Sequence, residues 1–352
     1  MATTPAIVND VDKLSPPAIL VRMPADVLHP PFAWREQGNG PVVLLLHGLG
    51  GSRISWEPQM GALGPRRTVA LDLPGYGESE PLTDDPLTWP AVADAAARCI
   101  DALGAERAHV VGISMGGMIG QTFALRHPGY FQTMILADTT SYYPPETQGP
   151  WGDRIKLAQE KGMAPFGDLM IGRWFTEGYV KSGAPALKRI GDSVRATKAD
   201  GFIGCCHAIP KINLTAKLKD IKCPTLIIVG EQDPGTPVSM ARDIHNAMPG
   251  SELVIIPNAA HLSNIEDATN FTRAVMDFLT GKEVGAPVKA APAEAPEKAA
   301  PVKAAAKPAA KSPTTGITLM TNGVCTVSDT NACWPLNKVT LGACNTFVRM
   351  SL

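Results

Sequence analysis

The sequence predicts an α/β fold: a mostly parallel central sheet covered by helices on both faces, with a helical insertion between two strands. Three observations carry this. Short apolar runs alternate with helix-patterned stretches from about residue 41 to residue 280. The rhythm breaks once, where about 80 residues from Thr139 to Ile221 contain no convincing strand. A glycine-flanked serine stands where one strand run gives way to a helical pattern.

The strand runs are Pro41–Leu46, Arg67–Leu71, Ala108–Ile113, Thr133–Ala137, Thr225–Val229 and Glu252–Ile256. Each is a continuous apolar or β-branched stretch, as a strand buried on both faces requires. Ile19–Arg22 and Phe32–Glu36 read as an N-terminal hairpin, and helices are expected over Ala91–Leu103, Met115–Arg126, Ser239–Ala247 and Ile265–Leu279. The interruption, residues 140–221, holds Trp151, Met163, Phe166, Met170, Trp174, Phe175 and Phe202 and reads as a helical lid.

Composition changes after Gly285. Residues 286–312 contain 12 Ala, 5 Pro and 5 Lys, so residues 286–313 read as an extended linker unable to bury a core. Residues 314–352 form a tail with Cys325, Cys333 and Cys344, whose spacing fits no zinc pattern. A disordered extension, a partner-binding peptide and a non-native reading-frame remnant are all open for this tail. The formal net charge of −1 divides into about −5 for residues 1–285, +3 for the linker and +1 for the tail. A nucleic-acid binder would carry a basic excess, so no nucleic-acid partner is expected. The N-terminus lacks a basic start followed by an apolar stretch, and no run reaches the roughly 18 apolar residues of a membrane span. The expectation is therefore a cytoplasmic protein without a membrane partner; its oligomeric state is not legible.

The chemistry is read from the ends of the strands. In Gly112-Ile113-Ser114-Met115-Gly116 a sharp strand-to-helix turn exposes the serine, and small residues on either side clear room for it. A serine hydroxyl needs a base to take its proton, and the base needs an orienting acid. Asp233 follows one strand in G-E-Q-D-P and His261 follows the next in N-A-A-H, giving the order Ser, Asp, His along the chain. Asp138, at another strand end, is the second candidate acid. His47-Gly48-Leu49-Gly50-Gly51 lets the backbone turn close to the serine, so that the N–H groups of Leu49 and Met115 form an oxyanion hole. Asp72–Ser79 reads as a turn bracing these loops. In the lid, Trp151, Arg154, Arg173, Trp174 and His207 are candidate substrate contacts, with Lys211 a further candidate anion partner. Cys205 and Cys206 read as small lid residues. No metal site and no cofactor is expected.

Taken together and in order, H-G-L-G-G, D-L-P-G-Y-G-E-S, G-I-S-M-G-G-M-I-G-Q, G-E-Q-D and N-A-A-H resemble the α/β-hydrolase superfamily over roughly residues 17–280. The S-M-G-G-M-I-G-Q-T-F-A-L-R-H-P, A-D-T-T, W-G-D-R, R-W-F-T and G-F-I-G-C-C-H-A-I segments are similar to its 3-oxoadipate enol-lactonase branch. The resemblance implies an α/β-hydrolase domain over residues 1–285, a small carboxylated lactone or ester as substrate, and a triad of Ser114, Asp233 and His261. Two departures stand out. The chain keeps His47-Gly48 where that branch often has a serine-containing segment, and it has Pro210 and Lys211 where the branch usually has arginine and aspartate. Hydrolysis of carbon–carbon bonds in ring-cleavage products, a general carboxylesterase or perhydrolase activity, and a ligand receptor on the same fold are the alternatives.

Overall fold

The computed structural model describes residues 19–22, 32–81 and 88–284, all within the first of the two units into which the chain divides, Met1–Ala291. The expectations for the linker 286–313 and the tail 314–352 lie outside the described residues. Strands β1 (Ile19–Arg22), β2 (Ala33–Gln37), β3 (Val42–Leu46) and β4 (Arg67–Leu71) are followed by helix α1 (Trp89–Ala102). Next come β5 (Ala108–Ile113), α2 (Met115–Arg126) and β6 (Phe131–Ala137). Five lid helices follow: α3 (Gly149–Lys161), α4 (Phe166–Trp174), α5 (Glu177–Ser182), α6 (Pro185–Ala196) and α7 (Ala199–Ala208). The chain then returns through β7 (Thr225–Gly230), α8 (Val238–Ala247), β8 (Glu252–Ile256), α9 (Ser263–Glu266) and α10 (Ala268–Leu279).

The eight strands form one sheet in the order β1-β2-β4-β3-β5-β6-β7-β8. The β1/β2 and β2/β4 pairs are antiparallel, and every pair from β4 to β8 is parallel. All but one of the strands read as apolar runs are interior, and every residue of β3, β5 and β7 is buried; the exception is β8, an edge strand in which only Val254 and Ile256 are buried. Parallel neighbours run the same way, so the loops after β3, β5, β6, β7 and β8 collect along one edge. One expected helix is divided. Ile265–Leu279 breaks at Asp267 (φ −126°, ψ 66°), whose carboxylate accepts the Asn270 N–H at 3.1 Å and starts α10 afresh. Among the described residues no helix is long and apolar enough to cross a membrane.

The turn from β5 into α2 is a tight point of the framework. Ser114 has φ 55° and ψ −118°, well away from the conformations that ordinary residues prefer. Two glycines make this possible. A Cβ on Gly112 would lie 2.2 Å from the Gly116 carbonyl oxygen, and one on Gly116 would lie 2.1 Å from that of Leu46 in β3. The helix thus starts in backbone contact with the neighbouring strand, and no side chain fits between them. We expect Gly116→Ala to force this backbone apart and to lower stability by about 1–3 kcal/mol in urea denaturation.

Candidate active site

Three strand-end loops bring Ser114, His261 and Asp233 into one hydrogen-bonded series. Ser114 Oγ lies 2.9 Å from His261 Nε2, to which it donates, and His261 Nδ1 donates to Asp233 Oδ2 at 2.8 Å. The Asp233 carboxylate is saturated by its own loop: Oδ1 accepts from the N–H groups of Gly235 (2.7 Å) and Thr236 (3.0 Å), and Oδ2 also accepts from Thr236 Oγ1 (2.8 Å). Burial alone would raise this carboxyl, but the charge and hydrogen bond of His261, followed by the Thr236 contacts, bring it down to about 2. Conversely, burial disfavours a charged His261, and Asp233 more than offsets this, so the imidazole titrates above its ordinary range. The outcome is an ionised acid, a strengthened base and a hydroxyl aligned with it.

The loop after β3 runs beside the serine, and a Cβ on Gly48 would meet Ser114 Cβ at 3.1 Å. Buried His47 shapes this loop. Its Nδ1 donates to the Gly48 carbonyl (2.8 Å), and its Nε2 accepts the Leu73 N–H (3.0 Å) from the turn after β4. Burial keeps His47 below the ordinary imidazole value, which matches a ring that must leave one nitrogen free to accept. That turn is itself braced, since Asp72 accepts the N–H groups of Arg53 (2.9 Å) and Glu78 (3.0 Å) and pairs with the Arg53 guanidinium. The N–H groups of Leu49 and Met115 find no acceptor among the described residues.

A cavity of about 330 Å³ opens over Ser114 and His261 and is lined by Leu49, Trp151, Arg154, Arg173 and Trp174, among others. Four of the five expected lid contacts therefore reach it. Both tryptophans are also packed into the core at 9% and 8% exposure. Arg154 lies over the Trp151 ring, 4.4 Å from its centroid. Burial, and then the charge of Arg173, hold its pKa below the usual guanidinium value. Neither arginine has a carboxylate within ion-pair distance among the described residues.

Two expectations fail here. His207 is exposed and lies outside the cavity, because the inward stripe of α7 is Phe202, Cys205, Cys206 and Ile209. Lys211 is exposed as well and borders a different surface hollow beside Asn213 and Asp220. Cys205 and Cys206 are buried, and burial pushes both thiols up to about 12, which leaves them without nucleophilic character. Asp138 makes no hydrogen bond to His261; its carboxyl engages Gly230 and Ser263.

The sequence reading missed Thr236, although D-P-G-T is a spacing at which an aspartate commonly bonds the backbone two or three residues on. It also missed Glu266, whose carboxylate accepts from the Thr176 N–H (3.1 Å), the Thr176 hydroxyl and the Ala260 N–H (2.9 Å). No local signal marks Glu266, because its lid partner lies 90 positions earlier in the chain.

Comparison with known proteins agrees with this fold. The family described as alpha/beta hydrolase fold matches residues 41–268. The chain is 29% identical over 249 residues to 3-oxoadipate enol-lactonase 2 of Acinetobacter baylyi, covering 69% of this chain and 90% of that protein. It is 30% identical to a putative carbamate hydrolase RutD of Caulobacter sp. (strain K31), covering 71% and 96%. Among solved structures it resembles the enol-lactonase from Burkholderia xenovorans LB400, with 32% identity, a TM-score of 0.68 and coverage of 73% and 99%. With its parallel sheet, inserted helical lid and serine turn, the chain belongs to the α/β-hydrolase fold family.

Proposed function

We propose that residues 1–285 form a serine hydrolase of a small carboxylic ester or lactone that bears a carboxylate, with a 3-oxoadipate enol-lactone as the best-fitting substrate. The observation that carries the reading is the Ser114–His261–Asp233 series beside a cavity whose wall holds two guanidinium groups without carboxylate partners among the described residues. The enol-lactonase names of the relatives support the substrate class. A volume of about 330 Å³ suits a small ring better than a long chain.

In this mechanism His261 takes the Ser114 proton as Oγ attacks the carbonyl carbon. Asp233 holds the imidazole tautomer and stabilises the imidazolium that forms. The N–H groups of Leu49 and Met115 receive the oxyanion, each such donor being worth about 3–4 kcal/mol in the transition state. Collapse breaks the ring carbon–oxygen bond, and His261 returns the proton to the departing enol oxygen. Water, deprotonated by His261, then cleaves the acyl-enzyme, and the enol tautomerises to the keto acid. The net change is addition of one water to the lactone. Arg154, pre-set over Trp151, and Arg173 bind the substrate carboxylate, which relieves their mutual repulsion.

Ser114→Ala is expected to cut hydrolysis by about 10³–10⁶-fold while the far-UV circular dichroism stays unchanged. A fluorophosphonate should label the wild type at Ser114 and spare the variant; a wild type that resists the label favours the receptor alternative. His261 must be neutral to act as base, and Asp233 holds its pKa up. The acid limb of kcat/KM should therefore fall at a pH above about 6.5. Arg154→Gln should raise KM for a carboxylated lactone about 10–100-fold and leave turnover of neutral p-nitrophenyl acetate unchanged. Equal loss on both substrates would remove the carboxylate from the assignment.

A further inference from the structure

The loops that carry Ser114, Asp233 and His261 come from three different strands, yet all three are fastened to one pair of residues at the C-terminal end of β6. On the serine side, Ser114 N–H donates to the Ala137 carbonyl (2.9 Å), and Thr139 Oγ1 donates to the Ser114 carbonyl (2.6 Å). Gly117, one turn into α2, leaves room for the Thr139 side chain, which a Cβ there would meet at 2.7 Å. On the other side, Asp138 N–H donates to the Ile228 carbonyl of β7 (2.9 Å), and its carboxyl reaches both remaining loops. Oδ1 accepts the Gly230 N–H at 2.7 Å, and Oδ2 lies 2.6 Å from Ser263 Oγ. Gly230 leads into the Asp233 loop, and Ser263 directly follows the His261 loop.

Two features mark this as more than ordinary packing. Asp138 is completely buried and has a left-handed backbone (φ 43°), a conformation that costs most residues about 1–2 kcal/mol and is best tolerated by Gly, Asn and Asp. Its carboxyl also has no cation in ion-pair contact among the described residues. Burial, and then the charge of Asp233, push its titration up to about 8 despite His261, Ser263 and Gly230, which act the other way. The carboxyl accepts from both loops, from the Gly230 N–H and from the Ser263 hydroxyl.

We propose that Asp138 is a positioning residue: a buried cross-tie that holds the acid loop and the base loop in register with each other and, through Thr139, with the serine turn. The proposal rests on the serine-hydrolase reading of the site. It sets Asp138 apart from the acid that orients His261, which is Asp233.

The test compares Asp138→Ala, Asp138→Asn and Ser263→Ala by kcat and KM on p-nitrophenyl acetate and by the low-field proton resonance of His261 Nδ1–H. That resonance needs no substrate and exists only while His261 and Asp233 stay in register. Asparagine preserves the tie, since its amide oxygen accepts from Gly230, the Ser263 hydroxyl can turn to accept from its amide nitrogen, and it tolerates the left-handed backbone. Asp138→Ala should lower kcat about 100-fold with little change in KM and should lose or broaden the resonance. Asp138→Asn should keep both kcat and the resonance, and Ser263→Ala should fall between. Wild-type kcat and resonance in Asp138→Ala, or an Asp138→Asn as impaired as the alanine variant, would overturn the proposal. Where Asp138→Ala fails to fold, Ser263→Ala decides: an unchanged resonance and kcat overturn the cross-tie, and a loss of both supports it. If no variant and no wild type hydrolyses the ester while the resonance follows this pattern, the hydrolase reading fails and the cross-tie stands.

Discussion

The backbone of Ser114 is the constraint from which the rest of the arrangement follows. A residue at φ 55° and ψ −118° between a buried strand and a buried helix persists only where its surroundings hold it in place. Here they do so by backbone contact: α2 presses on the end of β3 with only glycine hydrogens between them. The turn lifts the hydroxyl above the sheet edge, and the other loops are disposed around that point. The HGLGG loop passes close enough to touch the serine Cβ, and the histidine of the last strand meets its oxygen. A relaxed turn would leave the same residues present and out of reach of one another.

Most of the sheet and the centre of the site were legible because they are written locally. Interior parallel strands must be apolar on both faces, so β3, β5 and β7 announce themselves as continuous runs. The serine turn needs its two glycines at fixed offsets, and Asp233 and His261 each end a recognisable strand. What escaped depends on helix phase or on distant partners. His207 looked like a pocket residue from its place in the lid, yet Phe202, Cys205, Cys206 and Ile209 stand at i, i+3, i+4 and i+7, and that spacing alone turns His207 outward. The break at Asp267 was hidden because the apolar pattern continues through it while the capping bond to Asn270 does not show in periodicity. The role of Asp138 was invisible for a similar reason: its partners, Gly230 and Ser263, are 92 and 125 positions away.

Charge is distributed unevenly between sheet and lid. The sheet edge holds an ionised Asp233, a histidine paired to it and an Asp138 whose titration is raised by burial and by its neighbour's charge. The lid supplies Arg154 and Arg173, which have no carboxylate partner among the described residues, on two helices, α3 and α4, that also provide the aromatic wall. The hydrogen-bonded Ser114–His261–Asp233 series and the two lid arginines thus reside on separate parts of the chain.

That separation is incomplete at one point, the half-buried carboxylate of Glu266. It accepts hydrogen bonds from the start of α5 and from Ala260, the residue directly before His261, while Leu262 N–H on the other side of His261 donates to the Trp174 carbonyl (3.0 Å) at the end of α4. The cover and the imidazole therefore share their attachments, and the lid is no free flap. On the proposed hydrolase reading, a guest too large for the closed cavity has to loosen the segment that carries His261, which would link size discrimination to turnover mechanically. Bulky molecules would then be slowed twice, once on the way in and again because the imidazole they meet has been displaced.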